Sequence, residues 1–268
     1  MGQPGAYTLF ETKTRADFTA LAARVRSGEL HGLNVTTPWK SVAAMVCDRV
    51  LICDERGELL TTPTDERRTP VNTLFMRDGT LCGTSTDGPG LGLALTRAAV
   101  TLRGRPIAIL GAGGAGASIA HWLVAMGADV RWISNRSMEP ARALAARLTT
   151  TPAPTVVPWL APAAMAEAEV VVHTSKVGHG LVGAQAEAAS AHLAHLPWAE
   201  WASRAVLVDV VYGAERTAAE RCAARAGGRW VEESGYAMLA CQAALSLGIW
   251  ADAIAPVDAM LAALTATP

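Results

Sequence analysis

The sequence predicts an α/β protein of two lobes, and three observations carry that reading. Its 268 residues are 51% hydrophobic and only 18% charged, enough apolar material for two cores. Short apolar runs alternate with amphipathic stretches through the middle of the chain, the pattern of a parallel sheet with crossover helices. A glycine cluster, Gly111 to Gly116, sits straight after one of those runs.

Strands are expected at 107–110, 130–133, 170–173, 206–211 and 229–231, with helices at 118–126, 140–148 and 217–226. Right-handed crossovers of this length build a doubly wound parallel sheet over residues 88–235, a Rossmann-type domain. The first 87 residues form a separate, less regular α/β lobe. It has strands at 7–11, 31–35, 71–76 and 80–83, helices at 15–26 and 39–46, and Pro38 in the first turn of the second helix. Residues 54–70 are polar and hold two prolines, which reads as a loop. Residues 236–268 are helical with a break at Pro256 and are expected to return to the first lobe, leaving a cleft for a small ligand.

Composition excludes several classes. Net charge is −1 with no basic tract, which argues against nucleic acid or an anionic membrane as partner. The charge-free stretches 106–128 and 235–251 are broken by glycines or too short to span a bilayer, and the N-terminus has no signal-peptide pattern. A cytoplasmic protein is expected. Five scattered cysteines without a C-x-x-C spacing read as buried, reduced thiols, and no metal site is expected. Lysine occurs only at Lys13, Lys40 and Lys176 against twenty arginines. Only lysine of the two can lose its proton near neutrality, so each position counts as a candidate acid or base.

Gly111-Ala112-Gly113-Gly114-Ala115-Gly116 fits G-x-G-x-x-G between a strand and a helix, where backbone N–H groups hold a pyrophosphate. At the tip of the next strand stand Asn135, Arg136 and Ser137, with no carboxylate before Glu139. A free 2′-hydroxyl calls for Asp or Glu there, whereas an arginine pairs with a 2′-phosphate, so NADP is favoured over NAD.

Six motifs then resemble the shikimate dehydrogenase family over most of the chain. Its G-x-N-V-T-x-P-x-K is Gly32 to Lys40, and its A-V-N-T-L is Pro70-Val71-Asn72-Thr73-Leu74. Its N-T-D-G is Ser85-Thr86-Asp87-Gly88, and its N-R-T is Asn135-Arg136-Ser137. D-x-x-Y runs from Asp209 to Tyr212, and G-x-x-M-L-x-x-Q-A from Gly235 to Ala243. The resemblance implies that Lys40 and Asp87 are the catalytic pair and that Thr36, Asn72, Tyr212 and Gln242 bind substrate. It further implies that Gly111 to Ala115 and Asn135 to Ser137 hold the adenine side of NADP, with Gly235 near the nicotinamide.

The chain departs from the family in several places. No Ser-x-Ser, the family's carboxylate-binding segment, lies before Gly32, and residues 7–11 match the family's second strand. That anchor is expected either upstream of the sequence or lost, with the first sheet short of a strand and its edges covered by another segment or by a second subunit of a homodimer. Ser85 replaces an asparagine, and Arg68-Thr69-Pro70 replaces I-G-A. N-A-T-S-x-G has become His173-Thr174-Ser175-Lys176-Val177-Gly178, where Lys176 offers a replacement cation and His173 reads as a core or rim histidine. The function implied is NADP-dependent hydride transfer on shikimate, 3-dehydroshikimate or a close cyclic hydroxy acid of the quinate or amino-shikimate type. The alternatives are a paralogue that binds without turnover, as a sensor or partner, and a dehydrogenase of acyclic acids.

Overall fold

The computed structural model describes residues 5–60, 69–213, 215–254 and 256–265. The chain opens with α1 (Arg15–Arg26), started by a capping box in which Thr14 Oγ1 accepts from Asp17 N and the Asp17 carboxylate accepts from Thr14 N. There follow β1 (Gly32–Asn34), α2 (Lys40–Val46), β2 (Arg49–Val50), β3 (Ile52–Cys53), β4 (Leu59–Leu60), β5 (Thr73–Arg77) and β6 (Thr80–Thr84). The first sheet has the order β1-β5-β6-β2, with β2 parallel to β6 and the other pairs antiparallel. Asp78 and Gly79, at φ 48° and 72°, make the two-residue hairpin between β5 and β6, where both central residues need positive φ.

Alternation along β5 splits this sheet's cores. Leu74 packs with Phe18, Ala22, Val35 and Ala43 beneath α1 and α2, while Phe75 faces Leu51, Cys82 and Trp250.

The second sheet begins after α3 (Asp87–Arg97). It comprises β7 (Ile107–Leu110), β8 (Val130–Asn135), β9 (Thr155–Pro158), β10 (Val170–His173), β11 (Val206–Asp209) and β12 (Arg229–Trp230), all parallel. The spatial order β12-β11-β10-β7-β8-β9 runs outward in both directions from the β7/β10 pair. That pair is the topological switch point, and the crevice beyond its C-terminal ends is where doubly wound sheets take ligands. The connecting helices are α4 (Gly114–Ala125), α5 (Met138–Ala145), α6 (Gly183–Ser190), α7 (Trp198–Ala202) and α8 (Ala218–Arg225). The buried residues on the sheet's two faces form the two larger cores. Finally α9 (Ser234–Ala251) lies along α3 and reaches the first sheet, where Trp250 Nε1 donates to Leu74 O at 3.0 Å, and α10 (Val257–Thr265) closes the chain.

Several expectations need correction. Residues 7–11 are not a strand: this stretch pairs with no ladder and is held by side chains, the Tyr7 hydroxyl donating to Asn34 Oδ1 at 3.1 Å and Arg24 lying over the Phe10 ring. Helix α2 starts at Lys40, not at 39. Pro38 lies inside the preceding turn, in which Trp39 N donates to Thr36 O. Part of the 54–70 loop is regular, since β4 pairs antiparallel with β3; residues 61–68 lie outside the described residues. The parallel sheet has a sixth strand, β9, which the expected five omitted. All five cysteines are free and buried, and burial pushes the Cys47 and Cys53 thiols up to about 12, which keeps them inert.

Candidate active site

Strand β7 ends at the glycine-rich turn, which shows why two of its positions need glycine. Gly111 has φ 118°, and a Cβ on it would lie 2.6 Å from Thr174 Oγ1 and 2.8 Å from Ser175 N. A Cβ on Gly116 would strike the Gly111 carbonyl, so α4 can sit this close to the turn only without a side chain. Gly113 faces open space, with nothing within 4 Å of an added Cβ. No side chain caps the start of α4 and no acidic residue stands in its first turn. The N–H groups there are therefore available to an anion. Asn135 braces the turn, its Oδ1 accepting from Ala112 N at 3.1 Å while its Nδ2 donates to Ser137 O at 2.9 Å. Arg136 is exposed, and among the described residues no carboxylate pairs with it. These features fit a phosphorylated dinucleotide.

Beneath the turn lies an ion pair. Lys40 Nζ is 2.6 Å from Asp87 Oδ2, with side chains 14% and 7% exposed. The Lys40 stem runs beside the turn, its Cδ 3.5 Å from where a Cβ on Gly114 would be. Lys40 is the first residue of α2 and Asp87 the first of α3, so two helix starts from different parts of the chain converge here.

Asp87 is fixed from the other side. Asn72 Nδ2 donates to Asp87 Oδ1 at 2.9 Å and lies 3.2 Å from Gln242 Oε1, while Asn72 Oδ1 accepts from Thr86 N at 2.9 Å. Four of the predicted residues, Lys40, Asp87, Asn72 and Gln242, thus share one hydrogen-bonded network. Sequence reasoning missed four of its members as site residues: Thr73, Thr86, Asn34 and Ser246. Ser246 Oγ lies 2.8 Å from Thr73 Oγ1 and 3.1 Å from Thr86 Oγ1, and accepts from Asn34 Nδ2 at 3.0 Å. A signal existed: Ser246 is one helical turn after Gln242, on the same face of α9.

The other predicted residues stand apart from this network. Thr36 is exposed at the end of β1, and its carbonyl accepts from Trp39 N. Tyr212 packs against His179, edge-on at 5.1 Å, and against Tyr236 at 5.3 Å. Gly235 comes so close to the Val211 carbonyl that a Cβ would clash with it, which seats the start of α9 on the end of β11. Lys176 is exposed on the loop after β10. His173 is fully buried, as a core histidine should be, and hydrogen-bonds through both ring nitrogens. A cavity of about 460 Å³ between the ends of α3 and α4 is lined by none of the predicted site residues. Among the described residues no cluster of His, Cys, Asp or Glu could hold a metal, and no helix is long and apolar enough to cross a membrane.

Comparison with known proteins agrees with the motifs. Over 88% of its length the chain is 35% identical to the shikimate dehydrogenase (NADP+) of Bordetella petrii, covering 77% of that protein. The chain belongs to the shikimate dehydrogenase family. A second member, from Gluconobacter oxydans, is 31% identical over 93% of this chain and 80% of its own. The structure of shikimate 5-dehydrogenase from Thermus thermophilus in complex with NADP(H) and shikimate matches with TM-score 0.71 at 28% identity. The match covers 94% of this chain and 85% of that chain. Residues 106–194 match the family model described as NADP oxidoreductase coenzyme F420-dependent. The shikimate dehydrogenases matched here are NADP oxidoreductases, and the alternative of a paralogue without turnover finds no support among them.

Proposed function

We propose that this family member is an NADP-dependent oxidoreductase acting at a ring hydroxyl or ketone of shikimate, 3-dehydroshikimate or a close cyclic hydroxy acid. The observation that carries the reading is the Lys40–Asp87 pair, 2.6 Å apart beside the glycine-rich turn. In this reading the substrate lobe is residues 1–87 with 236–268, and the dinucleotide lobe is 88–235.

Gly111, Ala112, Gly113, Gly114 and Ala115 would hold the pyrophosphate, Asn135, Arg136 and Ser137 the adenine side, and Gly235 would lie by the nicotinamide. NADP, when bound, supplies the hydride acceptor or donor. The protein supplies the proton. In the reducing direction Lys40 Nζ gives a proton to the ketone oxygen; in the oxidising direction it takes the hydroxyl proton. Asp87 holds the amine in place, and Asn72 holds Asp87 through its second oxygen. Thr36, Asn72, Tyr212 and Gln242 bind the ring hydroxyls.

The test is NADP reduction, followed at 340 nm, with a panel of cyclic hydroxy acids. Wild-type protein turns over at least one panel member, and Lys40→Ala lowers kcat by about 100-fold or more, the usual loss when a general acid–base is removed. Binding of panel members without turnover by the wild type refutes the assignment.

A further inference from the structure

We propose that Ser175 is an activated nucleophile, supported by His173 and Asp209, which accepts acyl groups from carboxylic esters at the crevice of the parallel sheet. The residues that make this site are distinct from Lys40 and Asp87, and the proposal does not depend on the hydride-transfer reading.

The register of the sheet creates the arrangement. His173 and Asp209 end the neighbouring parallel strands β10 and β11 and are direct partners across the ladder. His173 Nδ1 lies 2.8 Å from Asp209 Oδ1, and His173 Nε2 lies 2.6 Å from Ser175 Oγ.

The hydrogen bonds around Asp209 favour one tautomer of the neutral ring. Asp209 accepts from Val211 N at 3.0 Å and from Thr217 Oγ1 at 2.5 Å, so it is held as an acceptor-only carboxylate. Nδ1 is then the donor to this carboxylate, and in the neutral ring Nε2 is the acceptor. The hydroxyl hydrogen of Ser175 then points at Nε2, the tautomer and orientation a serine needs for activation by a histidine.

Access is graded in the right sense. His173 and Asp209 are 0% and 1% exposed, whereas Ser175 is only partly buried. Ser175 also lies at the switch point, on the loop after β10, with its backbone against Gly111.

The step balances without another reactant besides the ester and water. Ser175 Oγ bonds to the ester carbonyl carbon while its proton passes to His173 Nε2. The carbon–alkoxy bond breaks, and the leaving oxygen departs as an alcohol carrying that proton. Water then attacks the acyl-serine and gives one proton to Nε2, which returns it to Oγ as the acyl–oxygen bond breaks and the carboxylic acid leaves. Asp209 stays ionised throughout and stabilises the transient imidazolium.

The experiment treats the full-length protein with a fluorophosphonate, in which a P–O bond to serine forms as P–F breaks, and in parallel with p-nitrophenyl acetate. Adducts are located by peptide mass mapping. The expected result is a single phosphonyl adduct on Ser175, an acetyl group on the same residue, and neither in Ser175→Ala. His173→Gln should slow phosphonylation at least 100-fold, with circular dichroism verifying its fold. Ser175→Ala removes a single oxygen from a partly buried residue, so it keeps the test decisive even if His173→Gln does not fold. Lack of reaction at Ser175 with either reagent overturns the proposal, as does an unchanged rate in folded His173→Gln.

Discussion

A lysine is rare in this chain, and at the residue scale that scarcity was informative: Lys40 is one of three, and it lies against a carboxylate under the glycine-rich turn. The partner was not legible from spacing, because Asp87 is far away in sequence and the two meet only through the convergence of α2 and α3. Family motifs supplied it. Ser246 escaped both routes, since a serine inside an apolar helix looks like a tolerated core residue until Asn34, Thr73 and Thr86 are seen around it. Nucleotide choice belongs to this scale as well. Arg136 is exposed beside the braced Asn135 and lacks a carboxylate partner among the described residues, so its charge is free for a 2′-phosphate. A charge-assisted contact of this kind contributes about 1.5–3 kcal/mol. Arg136→Ala is therefore expected to weaken NADP binding by roughly tenfold or more while leaving NAD binding within a factor of two. Titration with both nucleotides measures it; an equal loss for NAD would show that Arg136 does not read the phosphate.

Helix α4 carries a pH dependence at the scale of a single element. His121 lies on it with Nε2 buried and unpartnered among the described residues. Burial first, and the Arg147 charge second, push its pKa down to about 4. The unfolded chain binds this proton near the ordinary value of 6.5, so stability is complete above that pH and is lost as pH falls toward 4. At pH 5 the loss is about 2 kcal/mol. Urea unfolding at pH 7 and pH 5 should show this difference in the wild type and a smaller one, by about that amount, in His121→Leu. Identical pH dependence in the two proteins would place the histidine in water. The strand–turn–helix that contains α4 was the most legible part of the sequence, because a short apolar run, glycines and an amphipathic stretch occur in the one order that a dinucleotide turn requires. Strand β9 was not legible: Thr155–Pro158 has an edge position, a proline and only one buried residue, so it lacks the continuous apolar pattern of its neighbours. Residues 7–11 misled in the opposite direction, being rich in strand formers but joined to no ladder.

For the whole molecule, the question is what holds the network of the first lobe in register with the turn of the second. Helix α3 does so physically. It starts at Asp87 and presses its Gly88 and Gly92 onto Trp122 of α4, and its Gly90 onto Gln242 of α9. One helix with three glycines is thus wedged between α4, which starts at the glycine-rich turn, and the helix that carries Gln242 and Ser246. The contact with α9 leaves no room: a Cβ on Gly90 would stand 2.7 Å from the Gln242 backbone nitrogen and 2.9 Å from its Cα. Backbone cannot rotate away as a side-chain tip can, so Gly90→Ala must push α9 outward. Overpacking of this kind costs about 1–3 kcal/mol, which exceeds the roughly 1 kcal/mol that alanine gains over glycine in a helix. Net destabilisation is expected. The shift would carry Gln242 away from Asn72 and Thr86 but leave Gly111 to Gly116 in place, since that turn is built from β7 and α4. Gly90→Ala should therefore melt at a lower temperature, raise KM for the cyclic substrate several-fold, and keep its NADP Kd within a factor of two. A variant that loses NADP affinity in proportion to substrate affinity would mean that the two lobes do not respond separately, and that α3 transmits the displacement to the turn instead of separating it.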